Sequence, residues 1–152
     1  MHENQIQSAL MIGKGNRAWV PILSNVVTAG HWGGGQYTMV NLGGKGNFLC
    51  VIPLPFKCGG LRLHIDALEV GVYDADPSSK INKIHLERVT GFNSREKFDV
   101  TTQAQDSPGD KIFSFNPIDL SGSKAAYVRI NYVAEGKSNL EISYIRVRCY
   151  YE

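Results

Sequence analysis

The chain has 152 residues, most simply one domain with enough length to bury a core without disulfide or metal support. A net charge of +2 separates it from dedicated nucleic-acid binders, and no apolar run approaches the ~18 residues of a membrane span. Its three cysteines, Cys50, Cys58 and Cys149, are an odd number without CxxC or Cys/His zinc spacing, which argues against a disulfide framework and structural zinc.

The N-terminal stretch "MHENQIQSALMIGKGN" has no basic segment leading into an apolar one, so no secretory signal is expected. That places the chain in the cytoplasm or inside a particle, with residues 1–16 as an N-terminal arm of one domain spanning 1–152. From there period-two alternation recurs and long helical periodicity is absent. The predicted strands are Ala18–Leu23, Tyr37–Leu42, Phe48–Leu54, Leu61–Tyr73, Ile81–Val89, Lys97–Thr102, Ile112–Phe115, Ala126–Val133 and Leu140–Tyr150. Turn chemistry separates them at Gly43–Asn47, Asp74–Ser79, Ser107–Asp110, Ser121–Ser123 and Glu135–Ser138. Cys50 and Cys58 flank Pro53 and Pro55, so a single bridge across that turn is a pairing the spacing leaves open. Short strands with frequent turns predict an all-β, antiparallel sandwich or barrel.

Two local patterns refine this. In Leu61–Asp66, Leu61, Leu63 and Ile65 face one way and Arg62, His64 and Asp66 the other, as in a sheet with one wet face. In the last strand, Leu140 and Ile142 give way to Ile145, Val147 and Cys149, so the apolar parity flips and predicts a β-bulge near Ser143–Tyr144.

The final 40 residues or so, with Ile118-Asp-Leu-Ser121, "YVRINY", a glycine turn and "ISYIRVRCYY", resemble the closing half of galactose-binding-like jelly rolls. Such domains occur in carbohydrate-binding modules and in viral or phage appendage proteins. The resemblance implies a jelly-roll sandwich and, through it, a sugar-binding or particle role; it transfers no ligand residues by position.

Four constellations could carry chemistry. His31, Trp32, Gln36 and Tyr37 in "HWGGGQY" combine aromatic faces, hydrogen-bonding groups and a glycine run that permits close approach, as a sugar-gripping loop would. The same letters also describe a Trp32 folded over an open core end. His64-x-Asp66 and His85-x-Glu87 each place an imidazole and a carboxylate on one strand face. If their strands formed a hairpin, the four would make a cupin- or oxygenase-like transition-metal site, although the HxH of cupins is missing. A solvated, alternately charged face explains them equally. Asp74 and Asp76 are a minimal calcium pair, or a plain Asx turn before Pro77. Tyr144, Arg146, Arg148 and Tyr150 share a face of the last strand and suit a subunit interface.

No G-x-S-x-G elbow is present, and the "GKGN" and "GGKGN" runs do not fit a phosphate-binding loop. The expectation is a non-enzymatic binding or structural module, in a viral particle or appendage or in carbohydrate recognition. It would work as a homo-oligomer without a cofactor, structural calcium at Asp74 and Asp76 being the one alternative left open, and nucleic acid is disfavoured. The alternative is a metal-dependent jelly-roll enzyme using His64, Asp66, His85 and Glu87.

Overall fold

The alternating segments become ten strands in the computed structural model, which describes residues 15–23, 40–74, 78–101, 103–134 and 140–152. They are β1 (Ala18–Pro21), β2 (Val40–Leu42), β3 (Gly44–Val51), β4 (Lys57–Cys58), β5 (Leu61–Asp74), β6 (Lys80–Gly91), β7 (Ser94–Thr101), β8 (Gly109–Asp119), β9 (Ala125–Ala134) and β10 (Leu140–Tyr151). All pairings between them are antiparallel.

Two sheets result. In the first, β10 lies beside β5; β1 and β2 share the far side of β10, and β8 and β4 the far side of β5. The second has the order β3–β9–β6–β7. From β2 onward the chain changes sheet at every connection except the β4–β5 and β6–β7 hairpins. This double-sheet wiring is a jelly roll, in which sequence neighbours face each other across the core.

The core follows from the alternation. Leu63, Ile65, Leu68, Val70 and Val72 of β5 and Ile142, Ile145, Val147 and Cys149 of β10 pack with Ile84, Leu86, Val128 and Ile130 from the second sheet. Removing these side chains from water is the main favourable term.

The parity flip in β10 is a bulge, as its apolar pattern predicts. Ile142 pairs with Val72 and Tyr144 with Gly71, leaving Ser143 as the extra residue. A second bulge lies on β5, where Ile65 pairs with Cys149 and Ala67 with Arg148, so Asp66 is extra. It flips the inward set from Leu63 and Ile65 to Leu68, Val70 and Val72.

Several expectations are corrected. The segments around His64 and His85 do not form a hairpin: β5 and β6 belong to opposite sheets. The glycine run at Gly43–Asn47 is not only a turn, because Gly44–Asn47 pair with Ala134–Asn131 as the start of β3. The three cysteines are free thiols, in line with the absence of a disulfide framework, and the Cys50–Cys58 bridge that the spacing left open is not formed. Cys50 sits on β3 and Cys58 on β4, in opposite sheets, and the Cys50 Sγ donates to Ile22 O at 3.5 Å.

Candidate functional site

The outer face of the first sheet carries a charged ladder. The bulge re-aims Asp66, and Arg148 Nε donates to its Oδ1 at 2.8 Å while Arg17 Nε donates to Oδ2 at 2.6 Å. Burial pushes the Asp66 carboxyl up, but the hydrogen bonds from Arg148 and Arg17 outweigh it, and it titrates below the ordinary aspartate range. One turn of the pleat away, Arg146 Nε donates to Glu69 Oε1. Trp19 of β1 lies beneath both arginines, 4.7 Å from Arg146 and 5.8 Å from Arg148, so its ring covers their planar cations.

The ladder ends in aromatic contacts. Tyr150 stacks on His64 with ring centroids 5.0 Å apart, and Arg17 covers the same tyrosine at 4.6 Å. At the other end the Tyr144 hydroxyl donates to Asp110 Oδ1 at 2.6 Å. The sequence-predicted strip of Tyr144, Arg146, Arg148 and Tyr150 therefore does occupy one face. Each of its members is engaged by a neighbouring strand of the same chain.

On the outer face of the second sheet, His85 and Glu87 do meet. His85 Nε2 is 3.3 Å from Glu87 Oε1, and Arg129 donates to Glu87 Oε2 through Nη2 at 2.9 Å and Nε at 3.2 Å. Lys97 Nζ of β7 lies 3.7 Å from Glu87 Oε1. Glu87 is 0% exposed. Burial raises its pKa, but hydrogen bonding from Tyr127, Arg129 and His85 prevails, so it is held ionised below the ordinary glutamate value. Burial lowers the pKa of His85, and the cations of Lys97 and Arg129 add to that against the opposing pull of Glu87. The imidazole is thus kept neutral at pH 7, with its Nδ1 buried and unpartnered.

The four-residue metal constellation does not assemble. His64 and Asp66 lie on the first sheet and His85 and Glu87 on the second, with the core between them. Within the first pair, His64 is turned to Tyr150 and Asp66 to its arginines. No group of three or more His, Cys, Asp or Glu side chains able to hold a metal ion occurs among the described residues. His31, Trp32, Gln36, Tyr37 and Asp76 lie outside the described residues, and of the proposed calcium pair only the backbone of Asp74, at the end of β5, is described.

Arg17, Trp19, Glu69, Arg129 and Tyr127 complete these two faces without having been singled out in the sequence. Arg129 lies two strands from Asp99 and one from His85, a proximity that only the sheet order supplies. No helix among the described residues is long and apolar enough to cross a membrane. Set against protein-family models, curated proteins and solved structures, the chain matches none of them.

Proposed function

We propose that this chain is a non-enzymatic binding and assembly module, most concretely a jelly-roll component of a viral particle or appendage. The observation that carries this is how its reactive side chains are used. Of the buried groups best suited to acid–base or metal chemistry, Asp66, Glu69 and Glu87 are tied to arginines from neighbouring segments, and His85 to Glu87 two residues along its own strand. Acid–base catalysis at neutral pH needs a carboxyl raised toward 7 or a histidine near it. Here the Asp66 and Glu87 carboxyls are lowered, the pattern of cross-strand fasteners, and His85 beside Glu87 is also lowered.

Assembly is supported by β3. This edge strand pairs with β9 over eight consecutive residues without a bulge, and it presents Leu49 (48% exposed) and Val51 (64% exposed) outward. Among the described residues nothing pairs with its outer side, and an edge with apolar side chains at one end offers backbone groups and contact area to another chain. The wiring also supports the reading, because jelly rolls of this kind build capsids and lectins. The test is elemental analysis of the purified protein by plasma mass spectrometry, with its mass in solution by light scattering. A metal-free, discrete oligomer is expected. Stoichiometric iron, manganese or zinc would overturn the reading, and a metal-free monomer would remove its assembly half.

A further inference from the structure

Edge strands expose backbone groups, and most edges of this sandwich are guarded against an added strand. β1, β2 and β4 are only two to four residues long. β8 carries Asp110, Lys111 and Pro117 and shifts register against β5. β7, one edge of the second sheet, has four charges in eight residues: Arg95, Glu96, Lys97 and Asp99. β3, the opposite edge, has one, Lys45, and runs unbroken for eight residues along β9. It contains no proline, and Leu49 and Val51 are exposed on it. Of the long edges among the described residues, β3 alone lacks protection.

The ladder to β9 fixes which of its backbone groups face the open side. Ile52 N donates to Ala126 O at 2.9 Å, continuing the register in which Cys50 pairs with Val128 and Phe48 with Ile130. Bonds in an antiparallel ladder alternate, so the even-numbered residues of β3 direct their N–H and C=O groups to β9. Those of Lys45, Asn47, Leu49 and Val51 point the other way, out of the edge. The same four side chains lie on the outer face, and all are exposed. One added strand would engage both sets.

A second copy of β3 fits this edge. Residues opposite one another in an antiparallel pair share a face, so exposed side chains meet exposed ones. One register engages all four outward residues of both copies. It sets Lys45 opposite the partner's Val51 and Asn47 opposite the partner's Leu49, with Phe48 at the two-fold axis. Each of these pairs exchanges two backbone hydrogen bonds. Lys45, the strand's single charge, then lies about 20 Å from its own copy at the usual rise per residue, so the cations do not oppose each other. Its aliphatic stem covers the partner's Val51, and Leu49 reaches the partner's Leu49 across the diagonal. A strongly charged strand finds no such match, since the edge offers it one lysine.

We infer that β3 pairs antiparallel with β3 of a second copy, across a two-fold axis at Phe48, joining two four-stranded sheets into one of eight. The inference rests on the chain being an assembly module and names that module's partner and contact. Asn47→Pro removes one outward N–H while keeping the β9 ladder and both apolar side chains. Asn47→Ala controls for the lost amide, whose Oδ1 accepts from Asn131 Nδ2 at 3.2 Å. Light scattering should give an even-numbered oligomer for the wild type and Asn47→Ala. Asn47→Pro should show half that mass with an unchanged circular dichroism spectrum. Cysteine pairing reads the register independently, and decides the matter if the proline variant does not fold. Co-expressed Asn47→Cys and Leu49→Cys chains should form a disulfide-linked dimer on mild oxidation. Neither variant alone should, because like positions lie across the diagonal, beyond disulfide reach; the wild type is the blank for the native thiols. An odd-numbered oligomer, a folded Asn47→Pro protein of wild-type mass, or no covalent dimer from the mixed chains overturns the β3 pairing and leaves assembly to another surface. Leu49→Cys bridging to itself moves the axis off Phe48 and overturns the register. A wild-type monomer, its edge covered by its own chain or by a different protein, overturns both the pairing and the assembly half of the proposed function.

Discussion

Gly71 shows how far a single methyl group matters on this scaffold. A Cβ built there would lie 2.3 Å from Tyr144 Cε1 and 2.6 Å from Ser143 Oγ, far inside van der Waals contact. The ring of Tyr144 crosses the glycine to reach Asp110, and the bulge at Ser143 presses the same spot while its hydroxyl donates to Gly71 O at 3.3 Å. Glycine is required here for space. Gly71→Ala is expected to cost about 1–3 kcal/mol, the usual range for overpacking a filled site. Because the Tyr144 ring supplies two of the three closest atoms and Ser143 Oγ the third, the cost should shrink without vanishing when Tyr144 is also alanine, a non-additivity that urea denaturation of the four proteins of a double-mutant cycle would measure. Equal costs in both backgrounds would mean that Ser143 or the backbone, and not Tyr144, sets the requirement.

At the scale of the element, β10 is two half-strands joined by Ser143. Leu140 and Ile142 face the core before it, and Ile145, Val147 and Cys149 after it. Deleting Ser143 would leave Ile142, Tyr144, Ile145 and Arg146 in plain alternation, with every side chain still on its own face. Deleting Arg146 instead would turn Val147 outward and Arg148 into the core, since a one-residue slip exchanges the faces. The first deletion is expected to fold with a melting temperature lowered by roughly 10 °C or less. The second is expected to give insoluble or unfolded protein, as solubility and circular dichroism would report. The same parity is why this bulge was legible in the sequence: its flanking apolar residues change phase. The bulge at Asp66 carries the same change of phase, from Leu63 and Ile65 to Leu68, Val70 and Val72, but the face assignment of that strand rests on Leu61–Asp66 alone and so stops short of it. Nor could alternation reveal that β5 and β6 lie in opposite sheets. It tells which side chains share a face, but not which strand lies alongside, and the metal constellation failed on that distinction. The fold class survived because it depends on the number and spacing of strands, whereas the site depended on one pairing. Arg129, Glu87 and His85 come together through the β9–β6 register, which no local pattern encodes.

Across the whole molecule, the two outer faces should answer to acid in sequence while the apolar core does not titrate. His85 has its pKa lowered on folding, so the unfolded chain binds the proton more readily. Its contribution is full above the unfolded value of about 6.5 and is lost as pH falls from there toward the folded value. Asp66, Glu87 and Asp119 are also lowered, and for carboxyls the stabilising contribution is present above about 4 and disappears as pH falls through their folded values. The signs agree, so stability should decline monotonically from pH 7 to pH 3 in two stages. Urea midpoints measured at half-unit intervals would resolve them. His85→Gln, which keeps a donor for Glu87 and cannot titrate, should flatten the stage that starts near 6.5 and leave the acid stage in place. If the wild-type and variant curves run parallel over that upper range, the buried His85–Glu87 contact does not couple protonation to folding, and another titrating group sets the upper stage. If only the variant is flat, a fastener on the second sheet responds to mild acid before the Asp66 ladder on the first. The two faces of the sandwich would then loosen at different pH, the second sheet's face first.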